Sequence, residues 1–593
     1  MSTTIILFNA CKDEDNDNTP QILNDINISS SYEPIFRVKT QESNDFVTLS
    51  EKDWNINSVN KILNTFTYGI KSNLNQINLW ANMKPEDAIK EMLSFDSINY
   101  KIRNNENSFI TDKNISLVQA TEKFYEKYEQ AVYFIQSRFS KGWTQTNLIV
   151  DNTNYNPFKI KLGLWETNYH QVLTSQIDQL YILHNNMYFD QITKDIFDNV
   201  PYQNIMAHSA STMPILLMYN QFDNVYDDTN DILTVNDDFA REYNQLFFGI
   251  LGVDNLSYYE NVTIESTSKI LTGMNKKWIT FENSTGTAGG YDFITYPNSN
   301  NHFNYEVEAN QQIIQNTDFQ SGLYDLANVN INIKESQENL PIMIISGLAD
   351  DNIEANIFKK NTIINAWKNM EEKNILLFLQ KYAISYSFHS SDRIKYMSSL
   401  DRYMKVYNLL NFEGKTPKNV YIMKNQLEKD KFVIDVPAKG VFGNWTGVDV
   451  KDNTEVFTNF YTNSINNTYN NTYTEPIDFS KIIDENIDKN NIKEVAEFLW
   501  SKLIGDNLKN FNELERLQTY SLLFSGKDYN SYANITENIS ENDIYQNFIV
   551  NQDFIKLEKS SIINTTDIDM NTRINNTVHF ILGTPYNLYE EGI

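Results

Sequence analysis

The chain has 593 residues, a formal net charge of −28, 41% hydrophobic residues, 13% aromatic residues and a single cysteine. The length allows several buried cores, and the aromatic content argues against a disordered chain. The acidic excess repels phosphates and anionic membranes, so no direct nucleic-acid partner is expected, and a lone Cys11 excludes an internal disulfide or a cysteine-built zinc site.

The N-terminal stretch MSTTIILFNACKDEDND carries an apolar patch, a cysteine and an acidic run, in the order of a lipoprotein signal. The patch Ile5 to Phe8 falls short of the roughly 7–15 residues of a signal core, and no Lys or Arg precedes it, so a first strand is expected instead. No apolar run approaches the roughly 18 residues of a membrane span. Asp13, Asp15 and Asp17 sit at positions 1, 3 and 5 of a calcium loop. Asn18 stands where that loop needs Gly and Asn24 where it needs a bidentate Glu, so no metal is expected.

Strands are expected over 33–38 and 45–49. KPEDAIKEML (84–93) opens a helix, because Pro85 has no N–H to lose in the first turn and Glu86 and Asp87 suit the positive end of the dipole. Leu117, Phe124, Tyr128, Ala131, Ile135 and Phe139 form one stripe of a helix over 117–139. A second long helix covers 166–198, with His184 as a core histidine and Ile192 and Ile196 on the same face, and Pro201 closes it.

NIMAHSAST (204–212) sets Ser209 between the small residues Ala207 and Ser211. A serine nucleophile on a strand-to-helix elbow needs such neighbours. Tyr202 to Met206 would be the incoming strand, and MPILLMYNQ the outgoing helix with Pro214 near its start. Asp227, Asp228 and Asp231 read as a solvated acidic loop. From 255 to 335 the pieces NVTIEST, KWITFE, YDFITY and FNYEVEA predict a β-rich region, and LPIMIIS (340–346) a buried strand.

Helical spacing returns over 354–410, ending in a stripe of Ile394, Met397, Leu400, Met404 and Tyr407. Residues 417–462 are β-like, with Trp445 in a turn, and 464–476 form an Asn-rich linker. Ile492, Val495, Leu499 and Leu503 mark a helix stopped by Gly505; Leu508, Phe511, Leu514, Leu517 and Leu522 mark a second. Residues 527–593 read as short strands.

LPIMIISGLADDNI (340–353) resembles the acid-bearing segment of α/β-hydrolases, notably those of the prolyl-oligopeptidase type. The resemblance implies Asp350 as the triad acid, three residues after Gly347, and His389 as the base, in the hydrolase order Ser209, Asp350, His389. His389 would take the Ser209 proton and Asp350 would orient the imidazole. The chain departs from that family in lacking a Gly-rich upstream segment for an oxyanion hole.

These readings predict an α+β, multi-domain chain with β-rich modules separated by helical segments. The divisions are a β-rich 1–110, a mainly helical 111–250, a β-rich 251–340, a strand with helices over 341–415, a β-rich 416–475, and a helical pair with short strands over 476–593. The expected function is a non-catalytic structural or interaction protein of a large assembly, such as a bacteriophage or viral particle, in a virion or the cytoplasm. Its partners would be other protein subunits in a homo- or hetero-oligomer, with no cofactor. The alternatives are a serine hydrolase of peptides or esters, and a glycan-binding surface lipoprotein anchored at Cys11.

Overall fold

A computed structural model describes residues 43–67, 74–94, 191–397 and 482–591 apart from short stretches, with parts of 158–166. All of them belong to one compact unit, Arg37–Ile593. Cys11, the Asp13 to Asp17 run, the helix over 117–139, His184, the β-like 417–462 with Trp445, and the linker 464–476 lie outside the described residues.

The first elements are α1 (Ile56–Phe66), α2 (Leu74–Ala81) and α3 (Pro85–Met92). Asn55 caps α1 by accepting the Asn57 N–H, and Val59, Ile62, Leu63 and Phe66 are buried along one face. Pro85 stands at the start of α3, as expected, and Ala88, Ile89 and Met92 are buried. α4 (Tyr202–Ala210) and α5 (Met213–Met218) follow, then the hairpin of β1 (Val225–Asp227) and β2 (Ile232–Thr234). α6 (Asp238–Glu242) runs on into a π turn at Tyr243–Phe247, and a second π turn at Tyr259–Thr263 leads into α7 (Ile264–Ile270).

Next come β3 (Met274–Asn275), β4 (Trp278–Asn283), β5 (Gly286–Tyr291) and β6 (Tyr296–Pro297), with β4 paired to β5 inside the β3 to β6 pair. The hairpin of β7 (Val307–Ala309) and β8 (Gln312–Ile314) precedes α8 (Phe319–Asn330), which packs on α4. Asp318 caps α8 by accepting the N–H groups of Gln320 and Ser321. α9 (Lys334–Leu348), α10 (Ile357–Lys368), α11 (Ile375–Ala383) and β9 (Ile394–Tyr396) complete this half. After residue 481 come α12 (Ile492–Leu503), α13 (Glu513–Ser525), α14 (Ile544–Glu558), α15 (Met570–Leu582) and β10 (Tyr589–Glu591). β10 returns to β9, with Tyr589 opposite Tyr396, and the Glu590 carboxylate accepts from the Thr65 hydroxyl at the end of α1.

The fold is therefore mixed, with helix predominating. Among the described residues every sheet is an antiparallel pair, so the expected β-rich modules are not seen. NVTIEST is helical, because Thr263, Ile264, Thr267 and Ile270 bury one face of the α7 region and overrule their strand preference. LPIMIIS lies in α9, where Leu340, Ile344, Ile345 and Leu348 are buried at helical spacing. Pro341 sits inside that helix and forgoes one i−4 hydrogen bond. Tyr202 to Met206 is helix rather than strand. The expected 45–49 strand is reduced to one bridge, Thr48 to Ser385. The helix expected through Ile394 is strand β9. The expected short strands of 527–593 are mostly α14 and α15, with Ile574, Val578, Ile581 and Leu582 buried. α12 matches its predicted stripe, and Gly505 beyond it takes a left-handed φ of 72°. No helix among the described residues is long and apolar enough to cross a membrane.

Candidate functional site

Ser209 lies in the last turn of α4, with 1% of its surface exposed. Its carbonyl accepts from the Thr212 hydroxyl at 2.8 Å. Asp350 is wholly buried just beyond α9. Its carboxylate stands 2.6 Å from Lys359 Nζ, itself wholly buried, and its Oδ1 accepts the N–H groups of Asn352 (2.9 Å) and Ile394 (3.3 Å). Lys359 also reaches Asp392 Oδ1 at 3.3 Å. Arg393 donates to the Ala349 carbonyl at 2.8 Å and lies 4.2 Å over the Phe388 ring.

His389 is also buried, and its Nε2 donates to the Ala383 carbonyl at 3.0 Å. Burial, with the Arg393 charge nearby, holds its pKa well below the ordinary histidine range, so the ring is neutral. Asp350 and His389 thus belong to one cluster around Arg393. Among the described residues no hydrogen bond joins His389 to Asp350, or either to Ser209. A fluorophosphonate probe will therefore leave Ser209 unlabelled in the folded protein. Mass spectrometry of treated protein checks this, and a stoichiometric adduct at Ser209 would reverse it.

One acid–base pair escaped the sequence reading. His208 Nδ1 lies 2.9 Å from Asp195 Oδ2, and the Gln191 side-chain amide donates to Asp195 Oδ1 at 2.8 Å. The Asp195 carboxylate is buried while the imidazole is half-exposed, edge-on to Tyr324 at 5.6 Å. A carboxylate that orients an imidazole is the geometry of a proton-transfer pair. Three residues on, the Ser211 hydroxyl donates to the His208 carbonyl at 2.8 Å. Asp195 and His208 lie on separate helical segments on either side of Pro201, so no spacing rule reveals the pair.

The acidic loop is a turn held by its own donors. Asp227 accepts from the Thr229 and Asn230 N–H groups, Asp231 from Tyr226 OH at 3.0 Å, and Asp228 from Tyr305 OH at 2.7 Å. Among the described residues no three His, Cys, Asp or Glu side chains are placed to hold a metal ion.

The most organised surface feature is the loop 249–256. Glu335, in the first turn of α9, accepts three successive backbone N–H groups, those of Leu251 (2.6 Å), Gly252 (3.0 Å) and Val253 (2.8 Å). Successive N–H groups of this kind form a concave anion cradle, and the helix dipole favours a carboxylate there. Asn339 Nδ2 donates to the Gly249 carbonyl at 2.7 Å, and Tyr259 OH to the Ile250 carbonyl at 3.1 Å. Gly252 has a φ of +72°, and a Cβ there would stand 2.3 Å from Tyr259 Cγ, so only glycine fits.

Ile250 is buried under this loop, while Leu251 (48%), Val253 (73%) and Leu256 (60%) are exposed. The neighbouring hairpin is tied in by Tyr258, whose OH donates to Glu308 at 2.9 Å and accepts the Gln311 N–H at 2.8 Å. Ile313, opposite Glu308 in the β7–β8 register, is 61% exposed. This arrangement holds aliphatic side chains out on a hydrogen-bonded backbone, as anchors of protein interfaces are held.

No family model matches this sequence, and no curated protein or solved structure matches it, so the likeness to α/β-hydrolases rests on three short segments of the chain.

Proposed function

We propose that this protein is a non-catalytic interaction subunit of a larger protein assembly, attached through the loop 249–256. The observation that carries this reading is the Glu335 cradle, which fixes the backbone under the exposed side chains of Leu251 and Val253, with exposed Leu256 three residues on. A loop ordered before binding loses little further entropy when a partner seats on it, so its apolar contacts count more fully toward affinity. The Asn-, Ile- and Asp-rich composition suits a bacteriophage or viral particle as that assembly, with other protein subunits as partners.

Gel filtration of extract from the protein's own source tests this. The wild-type chain should elute well above the size of its 69.2 kDa monomer. The variant Leu251→Asp/Val253→Asp/Leu256→Asp should elute as a monomer with an unchanged melting profile. A wild-type chain that elutes as a free monomer overturns the reading.

A further inference from the structure

The loop is apolar at its tip and acidic around it. Asp254 lies between Val253 and Leu256 with 77% of its side chain exposed, Glu308 stands opposite Ile313, and the Glu335 carboxylate lies beneath the backbone. The neighbouring cation is Lys334, 3.9 Å from Asp254. Three carboxylates against one ammonium leave a formal −2 at this patch. Its charge has the same sign as the chain's −28.

We propose that the loop 249–256, with Ile313, receives a basic amphipathic segment of a different protein. Apolar side chains of that segment seat among Leu251, Val253, Leu256 and Ile313, and its Lys or Arg heads meet Asp254 and Glu308. This assignment rests on the preceding reading of the loop as an attachment point, and it names the occupant. A second copy of this chain is the poorer fit: it would bring the same carboxylates face to face and add the mutual repulsion of two chains of −28 each. A basic segment instead gains steering from the whole acidic field and loses it as salt screens that field.

The test uses the full chain and two fluorescent helical peptides. Both have leucine at the same positions; one carries lysine and the other glutamate on the polar face. Fluorescence anisotropy is read for the wild type, for Val253→Asp and for Asp254→Lys. The Leu/Lys peptide should bind the wild type at least about tenfold more tightly than the Leu/Glu peptide. Its affinity should drop about tenfold or more in Val253→Asp, although that variant is more negative. General attraction to an acidic chain would give the opposite change, so unchanged or tighter binding overturns the proposal. Asp254→Lys should narrow the gap between the peptides. Val253 is mostly exposed, so the variant keeps its fold, and circular dichroism verifies this.

Equal binding of both peptides, lost in Val253→Asp, overturns the basic partner and leaves the attachment point standing. Sedimentation velocity on the same samples detects a second copy: a dimer abolished by Val253→Asp likewise overturns the basic partner while the loop remains the point of attachment. If neither peptide binds and the chain does not self-associate, both the partner and the attachment point are overturned.

Discussion

Stability will fall as pH rises from 6.5 to 8, by about 1 kcal/mol, and Glu166→Gln will abolish the fall. Glu166 is wholly buried, and Tyr202 OH donates to both of its carboxylate oxygens, at 3.0 and 3.1 Å. Burial pushes its pKa from the ordinary 4.5 up to about 8, against the Tyr202 hydrogen bond, which favours the charged form. The folded protein therefore holds a proton that the unfolded chain releases above pH 4.5. The stabilisation is complete below that pH and is lost as pH climbs through about 8.

Two buried histidines act in the opposite sense but at lower pH. Burial holds His389 well down and His579 at about 4, so their cost grows mainly as pH drops below the ordinary histidine value of 6.5 and is about 0.4 kcal/mol each at that pH. Over the interval from 6.5 to 8 the Glu166 contribution thus exceeds theirs and sets the sign of the slope. Urea unfolding at several pH values in that interval measures the slope. A slope retained in Glu166→Gln would assign the proton to another group.

Lys359→Met will lower stability by about 3–5 kcal/mol, and adding Asp350→Asn will restore most of it. Both partners of the ion pair are wholly buried, at 2.6 Å. Removing the ammonium alone strands the Asp350 carboxylate in a medium that solvates it poorly. The asparagine in the double variant carries no charge, and its Oδ1 can keep the N–H groups of Asn352 and Ile394. The urea midpoints of the wild type, the single and the double variant form the measurement. A single variant within about 1 kcal/mol of the wild type would mean that water enters the site and solvates the Asp350 carboxylate, overturning this account.

The Asp350 environment also shows what sequence could and could not convey. Asp350 is singled out by its place after Gly347 in LPIMIISGLADDNI, and the structure does give that aspartate an uncommon setting. The partner is Lys359 on α10, an ordinary residue in sequence, and the strand read before Asp350 is α9. A run of apolar residues this short fits a buried strand and a buried helix face equally. Where caps and stripes agree, as at Pro85 in α3 and from Ile492 to Leu503 in α12, element type is readable from local signals alone. Around α7 and α15 the β-branched residues point to strand, and tertiary burial overrules them. The loop 249–256 offers two glycines around apolar residues, but the acid that organises it is Glu335, more than 80 positions away, and no local pattern joins them.

The return of β10 to β9, and of Glu590 to Thr65, has a consequence for synthesis. Thr65 leaves the ribosome 525 residues before the carboxylate it donates to. Until β10 emerges, the edge of β9 that it will cover stays open, and open strand edges invite pairing with other chains. Translation and folding are therefore out of step in this protein: the seam between its earliest described helix and its last described strand waits for β10 to emerge, and a nascent chain stalled short of residue 589 carries that seam open.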